Sequence, residues 1–125
     1  MAVTRAADAP TFAVPGFHFT GHTAPSRGAT ELSTWRLRID PRAASDPHRL
    51  DHEEVFIVLE GAMTATVDGE EVALSPGDAL AVPAGTLLRV SNTSNTPVHA
   101  IACLPAGARA TLADGHELGT PLWAR

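Results

Sequence analysis

The amino-acid sequence predicts an all-β domain, a sandwich or barrel of short antiparallel strands. Three observations lead there. Segments rich in Val, Ile, Leu, Phe and Thr recur at roughly eight- to ten-residue intervals. Gly, Pro, Asn or Asp punctuates every interval, and no window holds an apolar period of a helix. With 125 residues and 44% apolar composition, the chain suits one domain with an ordinary core.

In chain order, residues 1–30 are rich in Pro, Gly, Thr and Ala and hold one strand-like piece, "GFHFTG". They read as an N-terminal arm that leans on the rest of the domain. The barrel core is expected over residues 31–105. In "ELSTWRLRID" Ser33, Trp35, Leu37 and Ile39 share one face, and Thr34, Arg36 and Arg38 share the other, as in a half-buried strand. Pro41 and Pro47 bracket a loop. "EVFIVLE" is apolar on both parities, which asks for cover on both faces. "MTATVDGEEVAL" places Asp68-Gly69, a hairpin-turn pair, between two short strands. "ALAV", "LLRVS" and "VHAIACL" follow as further strands, separated by "PAGT" and "NTSNTP" turns. Residues 106–125 show no clear period and form a C-terminal tail.

Composition excludes several chemistries. Lys, Tyr and Gln are absent, so all nine basic residues are arginines. Schiff-base lysine, a pyridoxal-phosphate anchor and tyrosine acid catalysis are thereby removed. Net charge is −5 with no basic stripe, which argues against nucleic acid and anionic membrane as partners. No apolar run, Val55–Leu59 included, exceeds five residues, far short of a membrane span. The start lacks the apolar segment of a signal peptide, and a cytoplasmic protein is expected. The bias toward Ala, Arg, Gly and Pro points to a GC-rich bacterial genome. Cys103 stands alone and is expected to be a buried structural thiol.

The residues with chemistry cluster in "PHRLDHEEVFIVLEG", residues 47–61. Their spacing resembles the cupins, small single-domain jelly-roll barrels marked by two motifs. The first runs Gly, five residues, His-x-His, three or four residues, Glu, six residues, Gly; His48, Glu54 and Gly61 match it, while Arg42 and Leu50 replace the opening glycine and second histidine. The second runs Gly, five residues, Pro-x-Gly, two residues, His, three residues, Asn; Gly77, Pro83, Gly85 and Asn92 match, and Leu88 replaces the histidine. The resemblance covers residues 42–92 and implies a jelly-roll fold. In cupins that carry a metal, the three histidines and the glutamate hold it. Here two of those four are leucine, and an open zinc site or an iron facial triad needs three protein ligands.

The expected barrel interior therefore carries His48 and Glu54 among Leu50, Phe56, Val58, Leu88 and Val90. Burial raises a carboxyl pKa and lowers that of a histidine, whereas mutual attraction works the other way. Such a pair suits general acid–base catalysis, an isomerisation, elimination or cyclisation of a small carbonyl-bearing molecule, with no cofactor. The alternative is a divalent transition metal (Zn, Mn, Fe or Ni) held by His48, His52 and Glu54, since His52 and Glu54 lie two residues apart and share a face in extended chain. His99 is the other substitute ligand if its strand turns it inward. A third reading is a non-catalytic ligand-binding or sensing module. Two parities of Arg36 also stay open: outward to solvent or a partner chain, or inward with His52 in the substrate pocket, clamping a carboxylate. Trp123 either packs the tail over a barrel mouth or plugs the surface. With Phe56 and Val58 inside, Val55, Ile57 and Leu59 point outward, an apolar patch that predicts a homodimer.

Overall fold

The computed structural model describes residues 1–125 and is the all-β jelly roll expected from the sequence. Twelve strands form two antiparallel sheets of six. In chain order they are β1 (Thr11–Val14), β2 (Phe17–Thr23), β3 (Leu32–Ile39), β4 (His48–Leu50), β5 (Glu54–Glu60), β6 (Met63–Val67), β7 (Glu70–Leu74), β8 (Ala79–Val82), β9 (Leu88–Ser91), β10 (Val98–Pro105), β11 (Ala110–Leu112) and β12 (Glu117–Gly119). The first sheet has the order β1-β2-β3-β10-β5-β8 and the second β12-β11-β4-β9-β6-β7. Helix is confined to three single turns of 3-10 type at Ala6–Asp8, Pro25–Arg27 and Leu122–Ala124. No helix is long and apolar enough to cross a membrane.

Strand parity sets the core. On β3 the buried residues are Ser33, Trp35, Leu37 and Ile39; on β10 they are Val98, Ala100, Ala102 and Leu104. These faces meet Met63, Ala65, Leu88 and Val90 of the second sheet in one apolar cluster between the layers. Aromatic and branched residues alternate with small ones, so the layers interdigitate.

Turn chemistry fixes the corners. Asp68 and Gly69 both have positive φ, as the two-residue hairpin between β6 and β7 requires. Gly61 has φ +78°, and a Cβ there would lie 2.5 Å from the Pro97 carbonyl oxygen, so glycine is required on both counts. Arg42, where the first motif has its opening glycine, also adopts positive φ (66°), and its guanidinium donates to Asn95 Oδ1 at 3.2 and 2.8 Å. The left-handed backbone is thus retained and the side chain is tied down across the loop. Asn92 explains the final position of the second motif. Buried, it donates to the Ile39 and Thr96 carbonyls and accepts from Ser94, locking the end of β9 to the 93–96 turn and to β3.

Candidate functional site

The two sheets leave a cavity of about 550 Å³ at one end of the sandwich. Phe17, Phe19, Trp35, Leu37 and Phe56 supply its walls from the first sheet, and Leu50, Val90 and Ala110 from the second. Residues 118–123 cross its mouth. There Trp123 stacks on Phe19, ring centroids 3.6 Å apart and planes within 4°. Ser33 donates to the Ala124 carbonyl at 2.7 Å in a buried hydrogen bond, holding that segment down. Of the two roles expected for Trp123, the structure assigns the mouth.

Glu54, first residue of β5, faces this cavity and is buried, and its Oε1 has no hydrogen-bond partner. Burial alone pushes its carboxyl up to about 8, with no neighbouring charge pulling it back. At pH 7 roughly nine in ten molecules then carry a neutral carboxylic acid. His48, on β4 of the facing sheet, lines the same cavity. Its Nδ1 lies 2.9 Å from the Asp46 carbonyl oxygen, an acceptor only, so the Nδ1–H donates and the neutral ring has its lone pair on Nε2. His48 and Glu54 line the same cavity, but neither is the other's hydrogen-bond partner.

Other expectations need correction. His52 is half-exposed and holds Asp51 Oδ1 at 2.7 Å on the surface. Residues 51 and 52 form a bend and β5 begins only at Glu54, so the extended-chain parity linking His52 to Glu54 does not apply. Asp51 is the anchor of that bend; it accepts from the Arg109 amide, and this bond, then the one to His52, holds its carboxyl below the usual range. Arg36 lies on the outer face of β3, outside the barrel, because Trp35 and Leu37 take the inner parity. His99 is outward too, since Val98 and Ala100 are buried, and Glu60 stands 3.9 Å from its Nε2. Val58 and Leu88 are fully packed core and do not line the cavity. Leu50, Phe56 and Val90 do. Asp46, Phe17 and Phe19 are lining residues that spacing did not single out. The alternation of Phe17 and Phe19 in "GFHFTG" was the available signal.

The family model for the cupin domain matches residues 35–104. The chain belongs to the cupins. Among curated proteins, this cupin is 31% identical over 106 residues to a protein of Mycobacterium tuberculosis named beta-D-galactosidase Rv1717, covering 76% of this chain and 85% of that one. It is 56% identical over 36 residues to quercetin 2,3-dioxygenase of Bacillus subtilis, 29% of this chain and 11% of the dioxygenase, so it spans about a tenth of that protein. Among solved structures it resembles the polyketide cyclase RemF of Streptomyces resistomycificus, with TM-score 0.77 and 18% identity over 86% of this chain and 81% of that one. Cupin-fold neighbours also include sugar phosphate isomerases and a salicylate 1,2-dioxygenase, below 25% identity, where the likeness is one of fold.

The metal positions of the family can be tested on the donor set. β4 and β9 are paired so that His48 opposes Leu88, and Leu50 follows two residues along on the same face. His48, Leu50 and Glu54 line the cavity while Leu88 is packed in the core beside it, and two of the four family positions present isobutyl groups. No group of three or more His, Cys, Asp or Glu side chains is placed to hold an ion. The donors present do not fit the family's metal.

Proposed function

We propose that this cupin binds a planar, mostly apolar molecule bearing a carbonyl in its barrel and moves a proton on it without a metal, as an isomerase, lyase or cyclase. The reading is carried by one observation: a buried carboxyl group with an unpartnered oxygen on the wall of an aromatic-lined cavity, where burial favours its neutral form. Leaving a buried polar group without a partner costs about 1–3 kcal/mol, which a ligand acceptor would recover. Glu54 donates its proton to the substrate's carbonyl oxygen. His48 Nε2 takes a proton from the adjacent carbon, so an enol forms as one C–H bond breaks and one O–H bond forms. In a substrate with a C=C bond β,γ to the carbonyl, the enol is a dienol. It takes the proton back from His48 at the γ carbon as its O–H proton returns to Glu54. The double bond thereby moves into conjugation and both residues are restored. The cavity volume suits one small molecule, and Trp35 and Trp123 are among its lining residues.

A second reading takes its substrate from the mycobacterial relative. Glycoside hydrolysis needs a protonated acid and a second carboxylate, and Asp46 lines the same cavity as Glu54. The apolar walls favour the first reading. The test is a binding screen on tryptophan fluorescence with aromatic carbonyl compounds, followed by turnover, alongside a nitrophenyl β-D-galactoside. Glu54→Gln is expected to keep binding and lose turnover. Galactoside hydrolysis that fails in both Glu54→Gln and Asp46→Asn would install the second reading instead.

The assembly we propose is a homodimer through the outer face of β5. Ile57 and Leu59 are 42% and 40% exposed there, with Val55 half-buried beside them. A second copy related by a two-fold axis covers such a patch on both chains at once.

A further inference from the structure

The outer face of the first sheet holds a second concavity, of about 460 Å³, that the barrel chemistry does not use. It lies toward β1–β3, on the far side of β10 from the apolar β5 patch. Strand register builds it. His18, Arg38 and His99 stand side by side across β2, β3 and β10, with Thr20 and Arg36 in the next row. Residues two apart on a strand project to one face at roughly 7 Å spacing, so Arg36 and Arg38 point into the same space. Phe12 of β1 adds an apolar wall.

Charge is distributed unevenly here. The chain is acidic overall, yet two of its nine arginines line this cleft and no carboxylate does. Asp40 sits at the rim, 3.6 Å from Arg38 and 3.0 Å from His18 Nε2, and Glu60 flanks His99 at 3.9 Å. The Arg36 guanidinium has no ion pair and no hydrogen bond within the chain, although its backbone is paired in the sheet. Nδ1 of His99 is likewise buried without a partner. The local field reaches His22, whose pKa is lowered first by burial and then by Arg36 and Arg27.

We propose that this cleft is a binding site for a small organic oxyanion, a carboxylate or a phosphate. Arg36 takes the charge through its paired N–H donors, Arg38 supports it from the neighbouring row, and Thr20 and His99 supply further hydrogen bonds. Phe12 packs against the ligand's apolar part. Carboxylate and phosphate share this recognition, and they differ in charge and in the number of oxygens offered.

Calorimetric titration of the full chain at low ionic strength with butyrate and with inorganic phosphate tests the site, with chloride at matched ionic strength as control. One of the two anions is expected to bind at one site per chain. Its affinity should fall at least tenfold in Arg36→Gln, by less in Arg38→Gln, and not at all in the barrel variant Glu54→Gln. The preferred anion identifies the ligand's head group. Four results would overturn the proposal: neither anion binds the folded protein, chloride competes as well as either, Arg36→Gln binds unchanged, or the loss appears in Glu54→Gln. Light scattering on Arg36→Gln provides a further check, because a dimer that falls to monomer would make the cleft an interface between copies.

Discussion

Replacing Glu54 by Gln isolates what it costs to keep a carboxyl group in this cavity. The group titrates near 4.5 when exposed and at about 8 when folded. Because the folded value is the higher one, the folded state keeps a proton that the unfolded state releases between those two pH values. Stability linked to Glu54 is therefore complete below about pH 4.5 and is lost as pH rises to about 8, where the loss levels off. The folding equilibrium constant falls up to tenfold per pH unit in this window, about 5 kcal/mol in all. Gln is nearly isosteric and does not titrate, so its own unpaired amide adds a constant offset of roughly 1–3 kcal/mol. The informative quantity is the slope. Urea unfolding of both proteins, followed by tryptophan fluorescence across that range, should show the variant gaining on the wild type steadily with pH. The depressed carboxyl of Asp51 acts at the acid end, where its stabilisation is lost as pH falls, and cancels in the comparison. Parallel curves for the two proteins would refute the reasoning, and with it the neutral acid on which the proposed chemistry rests.

Three further outcomes are expected. Light scattering should give twice the 13.0 kDa chain mass, and Ile57→Glu should give a folded monomer; a monomeric wild type would remove the β5 interface. Leu50→His combined with Leu88→His completes the family's ligand set around His48 and Glu54, and should create zinc binding measurable by calorimetry that the parent lacks. Trp123→Ala removes the stack on Phe19 and opens the cavity mouth, lowering stability by about 2–3 kcal/mol in denaturant titration and quickening exchange of any barrel ligand; unchanged unfolding would show that the stack contributes little.

A period of two showed in the sequence only on the longer strands, while β8 and β9, four residues each, were read from the turns that flank them. β3, β5 and β10 have seven or eight residues each. With Phe56 inside, the parity of β5 turned Ile57 outward, whereas the faces of Arg36 and His99 stayed open until the burial of Trp35 and Ala100 fixed them. β4, β11 and β12 have three residues each and β1 has four, too few for alternation to stand out. They exist because neighbours across the sheet supply their hydrogen bonds; β4, for example, is held between β9 and β11. Half of the site was legible for the same reason. Glu54 and Phe56 sit on a long strand, and motif spacing found them. His52 was misplaced because parity was carried through a bend that Asp51 makes with Arg109, residues far apart in the chain. Trp123 and Phe19 meet only in three dimensions, so no local pattern could have joined them.

That meeting has a bearing on how the protein is made. Ser33 bonds the carbonyl of Ala124, and Ser26 that of Arg125, so the mouth of the cavity is closed by residues separated by 91 and 99 positions. β3 likewise waits for β10, with the whole of β4–β9 synthesised between them. On the ribosome the first sheet has no centre, and the aromatic cavity has no cap, until almost all of the chain has emerged. Loop closure over such spans is slow. During that interval Phe17, Phe19 and Trp35 are uncovered. The nascent chain is thus most exposed to chaperone capture or aggregation at the surfaces that will later form the walls of its own binding site.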